Sequence, residues 1–202
     1  MVFKQRDDAL EFRRKIFHLL FGMSLLVMLY YSIIDVMFLI FLLLGGIILS
    51  VASKYFQVWG INKLLKWFER PSDIKHCPGR GAMLLLLGVI LSMVLFPKDI
   101  ALASITILTV GDSVAHLAGR FGGSMPHPFN MAKMIEGTMV GTLCAFLVAM
   151  LFVDPISAFL AAFIAMLFEA IEVKVWKYSA LDDNIIVPMI AGIVMLLVRR
   201  II

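Results

Sequence analysis

The stretch VMFLIFLLLGGIILSVAS, Val36–Ser53, runs for 18 residues without one charged side chain. As a helix rising 1.5 Å per residue it is about 27 Å long, close to the roughly 30 Å hydrocarbon thickness of a bilayer. Inside lipid, such a segment must satisfy its backbone internally, and a helix does so without a partner strand. Outward from it, apolar runs of similar length recur near 16–34, 81–97, 99–119, 136–153, 155–172 and 185–201. Of these seven, 36–53 and 81–97 are short enough to be partly re-entrant. Breaks such as Pro97 and Asp154-Pro155 read as tight turns between helices, leaving no detachable soluble module.

The whole composition agrees. Hydrophobic residues make up 62% of the 202-residue chain and charged residues 16%, against roughly 45–50% and about 25% in an average soluble domain. The expectation is an all-α polytopic membrane helix bundle, a single domain of about seven transmembrane helices. Phe3 to Lys15 carries charges of both signs ahead of a full-length apolar run, unlike a cleaved targeting peptide. Cys77 and Cys144 form neither a disulfide framework nor a metal-ligand spacing.

With the N-terminus in the cytoplasm, seven spans put fifteen of the eighteen Lys and Arg on that side, leaving Lys98, Arg199 and Arg200 opposite. This positive-inside bias sets the expected orientation. It also brings Asp112, Glu136, Glu169, Glu172, Asp182 and Asp183 to the cytoplasmic ends of helices or to cytoplasmic loops. Basic residues there are explained by topology and anionic headgroups. Carboxylates at the membrane edge are costly to desolvate, so they pair, bind a cation or line a wet cavity.

Four constellations concentrate the chemistry. Arg14 and His18, four apart at the entry to the first span, share a helix face that is either a headgroup anchor or a phosphate-binding edge. The segment 54–80 mixes Trp59, Leu64, Leu65, Trp67 and Phe68 with Lys63, Lys66 and Arg70, the pattern of an amphipathic interfacial helix. It ends in Pro78-Gly79-Arg80-Gly81, a turn with one guanidinium. Gly111-Asp112-Ser113-Val114-Ala115-His116-Leu117-Ala118-Gly119-Arg120 steps Asp112, His116 and Arg120 by four into one polar stripe, followed by Lys133-Met134-Ile135-Glu136-Gly137-Thr138. Arg120 and Lys133 suit a polyphosphate and Asp112 its metal ion, whereas Gly137 with Gly141 reads most simply as a helix-packing pair. Finally, Glu169 and Glu172 share a face, where they repel unless a cation or proton lies between them. Asp182-Asp183-Asn184 stands before the last span as a helix cap or as oxygen ligands for magnesium.

Taken together, Arg14-Lys15-xx-His18, Pro78-Gly79-Arg80-Gly81, Gly111-Asp112-Ser113-x-Ala115, Lys133-xx-Glu136-Gly137 and Asp182-Asp183-Asn184 resemble the membrane-bound CTP-dependent polyprenol, dolichol and phytol kinases of the phosphatidate cytidylyltransferase-like superfamily. The chain departs from that family's frequent Lys-Thr-x-Glu-Gly-Ser at Met134 and Thr138, and residues 124–130 look like a local elaboration. The C-terminal block of true cytidylyltransferases is missing. The resemblance implies transfer of the γ-phosphoryl group of CTP, with Mg2+, to an isoprenoid alcohol, at an active site facing the cytoplasm. It assigns catalysis to Asp112, Glu136 and His18, with Glu136 or His18 as base. Arg14, Arg80, Gly111, Ser113, Arg120, Lys133, Gly137 and Asn184 become nucleotide or phosphate contacts, and Asp112, Asp182, Asp183 and Glu172 metal ligands. CTP, an isoprenoid alcohol and membrane lipid are the expected partners, nucleic acid is not, and a homo-oligomer is compatible. The expected location is the cell membrane, or the endoplasmic reticulum in a eukaryote. Two alternatives stand beside it: a CTP:lipid-phosphate cytidylyltransferase, and a cation or proton transporter.

Overall fold

The computed structural model describes residues 2–55, 60–128, 130–171, 174–175, 178–179 and 182–201. Each expected apolar run is a helix. The elements are α1 (Val2–Tyr30), α2 (Val36–Tyr55), α3 (Ile61–Phe68), α4 (Pro71–His76), α5 (Arg80–Leu95), α6 (Lys98–Thr106), α7 (Ser113–Gly122), α8 (Ile135–Ala149), α9 (Pro155–Ala170) and α10 (Asp183–Ile201). Among the described residues, three stretches, Val36–Ser53, Lys98–Gly122 and Asp183–Ile201, are long and apolar enough to cross a membrane. Arg80–Leu95, Ile135–Ala149 and Pro155–Ala170 are shorter apolar helices. The run expected over 16–34 is the C-terminal half of α1; it stops at Tyr30 because Asp35 caps α2, accepting from the Phe38 N–H at 2.8 Å. Asp154 ends the α8–α9 turn in the same way, accepting from the Ser157 N–H at 2.9 Å.

Lys98–Gly122 forms the axis, with α1, α5, α8, α9 and α10 around it. Small side chains admit this crowding: Ala101, Ala103, Ser104 and Thr106 are fully buried. The hydroxyls of Ser104, Thr106 and Thr109 donate to carbonyls four residues back, so none is left open in an apolar interior. Between α6 and α7 the axis widens into a π-helical turn, Ile107–Asp112. α8 crosses α7 closely through glycines. A Cβ on Gly137 would lie 2.4 Å from the Ala115 carbonyl oxygen. Leu39, Leu85, Ile100, Ile105 and Leu108 fill the core, while Phe41, Ile48, Leu143, Leu147 and Leu197 point outward.

Over 54–80 the structure shows the expected amphipathic helix and adds a second short one, with Trp59 outside the described residues. Amphipathic helix α3 is followed by a separate α4, because Arg70 precedes Pro71 and is held extended at ψ 145°. Gly79 then turns into α5 with φ +82°, open to glycine at no steric cost. Among the described residues, two small antiparallel strand pairs interrupt the helices: β1 (Pro126–His127) with β2 (Asn130–Met134), and β3 (Lys174–Val175) with β4 (Tyr178–Ser179).

Candidate functional site

At the end of the bundle where α1 enters and α10 begins, a cavity of about 600 Å3 opens between α1, α4, α5, β2, α9 and α10. Its polar wall is made by residues distant in sequence. The π turn ends at Asp112 and aims this buried carboxylate at α1, where the Lys15 ammonium donates to it at 2.6 Å. π turns of this kind recur at functional sites. His18, one helical turn further along α1, has Nε2 3.9 Å from the same carboxylate oxygen and buried without a hydrogen-bond partner.

Facing them, β2 presents Lys133, whose ammonium donates to the carbonyl and carboxylate of Glu169 and lies 3.4 Å from Asp183. Burial alone would lower the Lys133 pKa, but the Glu169 and Asp183 carboxylates outweigh it and raise it. Asp112, Glu169 and Asp183 each offer an oxygen within 4.8 Å of the other two. Three hard oxygen donors this close suit a divalent cation such as magnesium, with phosphate oxygens completing the shell. They carry more negative charge than the two neighbouring lysines neutralise, so the donor set fits such an ion.

A lattice of ion pairs in and just behind the wall holds it together. Glu11 accepts from Arg70 at 2.6 Å and from Arg14 at 2.9 Å. Burial would push its carboxyl up, yet the Arg70 hydrogen bond and the two guanidinium charges hold it at about 2. Glu69 accepts from the Gly79 N–H at 2.8 Å, tying the end of α3 to the start of α5; burial pushes its pKa up. Arg80 lies 3.6 Å from Asp182, and Asp182 accepts from the Asn184 side chain at 2.5 Å. Among the described residues, five cationic side chains and six carboxylates line the cavity. A bare polyphosphate meets a wall of mixed sign, so its binding gains from an accompanying cation.

Arg14, His18, Arg80, Asp112, Lys133, Asp182, Asp183 and Asn184 therefore meet at one cavity. Others named from the sequence do not line it. Arg120 pairs with Asp8, Nε to Oδ1 at 2.7 Å, on the outer side of α1. The stripe Asp112, His116, Arg120 instead faces Lys15, Glu11 and Asp8 in an antiparallel ladder, with His116 Nε2 3.7 Å from Glu11. Glu136 accepts from the backbone of Ser124 and Met125 and from the Ser124 hydroxyl, which uses its carboxylate to hold the turn into β1. Gly111 and Gly137 mark close helix contacts against Met166 and Ala115. The Ser113 hydroxyl is buried beside the π turn without a partner. Asp182 stands outside the three-carboxylate group, and Glu172 lies outside the described residues.

Two cavity residues escaped the sequence assignment. Lys15 reads as one more juxtamembrane cation, but it is nearly as buried as Asp112. Glu169, paired by spacing with Glu172, turns to Lys133 instead. The signal for Glu169 was its position inside the otherwise apolar run of α9, where an isolated carboxylate needs a compensating group.

No family profile matches the chain, and no solved structure does. A curated protein of Glycine max, described as "Probable phytol kinase 1, chloroplastic", is 32% identical over 128 residues. The alignment takes in 54% of this chain and 41% of the relative, so the chain spans about two-fifths of that protein's length.

Proposed function

We propose that this chain is a multi-pass membrane kinase that transfers the γ-phosphoryl group of CTP to the hydroxyl of an isoprenoid alcohol. One observation carries the reading: three convergent carboxylates, two lysines and an unpartnered histidine share a cavity with an aromatic wall. The similarity to a probable phytol kinase supports the same class of acceptor. Phosphoryl transfer asks a site for positioning and charge neutralisation more than for covalent chemistry, which suits this wall.

Magnesium, held by Asp112, Glu169 and Asp183, supplies neutralisation of the triphosphate charge when bound. Arg80, nearly half exposed at the mouth, and Lys133 meet phosphate oxygens. His18 takes the proton of the alcohol, whose oxygen forms the new bond to the γ-phosphorus as the bond to the β-phosphate oxygen breaks. CDP leaves and the lipid phosphate remains. Asp112, next to His18, stabilises the imidazolium that forms. With the basic residues facing the cytoplasm, CTP enters from that side and the seven apolar helices cross the membrane.

The test is incubation of purified protein with γ-labelled CTP, magnesium and a panel of isoprenoid alcohols and diacylglycerol. Labelled isoprenyl phosphate with CDP release is expected, together with a loss of at least about 100-fold in Asp112→Asn. Absence of label from every lipid would sink the proposal, and release of pyrophosphate would point to nucleotidyl transfer.

A further inference from the structure

We infer that the aromatic side of this cavity is the acceptor's tail path, which reads roughly the first two isoprene units and releases the remainder sideways into lipid between α1 and α5. The inference rests on the kinase reading for the identity of the polar head. Phe17 and Phe21 line the same cavity and stack at 5.6 Å between centroids and 11° between planes. Phe68 of α3 continues the row, 5.1 Å from Phe17. An occupant of one continuous cavity with these two walls is amphipathic, its polar end at His18 and its apolar part along the rings.

The route beyond the rings follows from what closes it. Inward, the bundle is packed shut: a Cβ on Gly22 would lie 2.1 Å from Thr109 Cγ2 and 3.8 Å from Leu85, itself 1% exposed. No tail passes below that level. Sideways, α1 touches α5 only sparsely, and Phe17 is 39% exposed, with Leu20 one turn on at 65%. A long tail therefore leaves past Phe17, beneath α3.

An isoprene unit adds four chain bonds of about 1.5 Å. A row with centroids 5.1 and 5.6 Å apart thus contacts roughly two units. Carbons beyond them pass from lipid to lipid and contribute no discrimination. The acceptor class is accordingly a long isoprenoid alcohol recognised at its hydroxyl end, with tolerance for total length.

Two measurements test this. With purified enzyme in liposomes, kcat/KM should rise at least about tenfold from a C5 to a C10 isoprenoid alcohol, the scale of a few methylenes in an apolar pocket. Between C15 and C20 it should change less than about threefold. Phe17→Ala should flatten the first rise and leave KM for CTP unchanged; a rise that survives in this variant, or continues undiminished to C20, overturns the tail path. The second measurement needs no turnover: a C20 alcohol with a diazirine on its second isoprene unit is photolysed in membranes holding the wild-type protein. Adducts on Phe17, Phe21 or Phe68 support the path, and adducts confined to α8 and α9 refute it. Adducts on the aromatic row with no phosphorylation of any alcohol would retain the tail site and reject the kinase reading. Phosphorylation with adducts elsewhere would do the reverse.

Discussion

Lys15→Met tests whether the Asp112 carboxylate depends on its lysine partner. The pair is 2.6 Å apart, with both side chains about nine-tenths buried or more. Methionine keeps the length and apolar stem of lysine but removes the charge. Asp112 is then left with the His18 ring at 3.9 Å and with Lys133, which Glu169 and Asp183 already engage. Breaking a buried ion pair from one side costs about 3–5 kcal/mol, because the remaining charge is stranded. For a chain of this size each kcal/mol moves Tm by about 2–4 °C, so a fall of about 10 °C is expected. The assay is thermal unfolding of the detergent-solubilised protein followed by tryptophan fluorescence. Lys15→Met/Asp112→Asn should recover most of the loss, since neither charge remains to be compensated. Magnesium should raise Tm more in Lys15→Met than in the wild type, because a cation on the carboxylates replaces the missing ammonium. A single variant within 2 °C of the wild type (about 1 kcal/mol or less), or a double variant that sums two losses, would refute the reasoning.

Glu11 predicts an acid limb in stability: its folded pKa of about 2 lies below the ordinary 4.5, so its contribution is full above pH 4.5 and is lost as pH falls toward 2. Glu11→Gln should lose that limb when Tm is followed from pH 6 to 2.5. If His18 is the base, His18→Ala should lower kcat at least about 100-fold, whereas Glu136→Gln, which disturbs only the 124–125 turn, should lower it less than about tenfold. The reverse ranking in a steady-state assay would move the base to Glu136. Gly137→Ala should destabilise by about 1–3 kcal/mol in thermal unfolding, because its methyl would press on the Ala115 carbonyl. Gly45→Ala, with open space around its Cβ position, should not destabilise.

Hydropathy was enough to locate the long helices, because each apolar run must satisfy its backbone locally whatever it packs against. Their ends were less legible: Tyr30 and Ala149 stop their helices through caps and turns that lie outside the apolar signal. The π turn had no visible cue, since ILTVGD contains no proline and its one charge, Asp112, is its last residue, and the bulge is a property of the surrounding packing. The β1–β2 hairpin was hidden by Pro126 and Pro128, which weaken any strand pattern. The cavity was legible as a set of residue types but not as a set of pairs. Asp183 and Asp112 were recognisable as ligand candidates from their place at helix ends, while Glu169 required knowledge of which helix faces Lys133.

The contrast between Arg120 and Lys133 shows why. Both are basic, Arg120 in the last turn of α7 and Lys133 in β2 just beyond it, and both stand at the expected polar edge of the bundle. Spacing gives each an equal claim on phosphate, because a stripe at every fourth residue is as well suited to a neighbouring helix as to a ligand. What separates them is the carboxylate opposite. Arg120 meets the single Asp8 on the outside of α1, and the pair is complete. Lys133 meets Glu169 and Asp183 where Asp112 also converges, so negative charge remains after the lysine is satisfied. An incoming cation has a reason to enter the second place and none to enter the first. Lys133→Ala should therefore weaken CTP use by at least about tenfold in kcat/KM, the loss of one charge-assisted contact of about 1.4 kcal/mol. Lys63→Ala, at an exposed position on α3, should cost less than about threefold. Equal losses in both, restored by added anionic lipid, would make Lys133 a membrane anchor and empty the cavity of its proposed role.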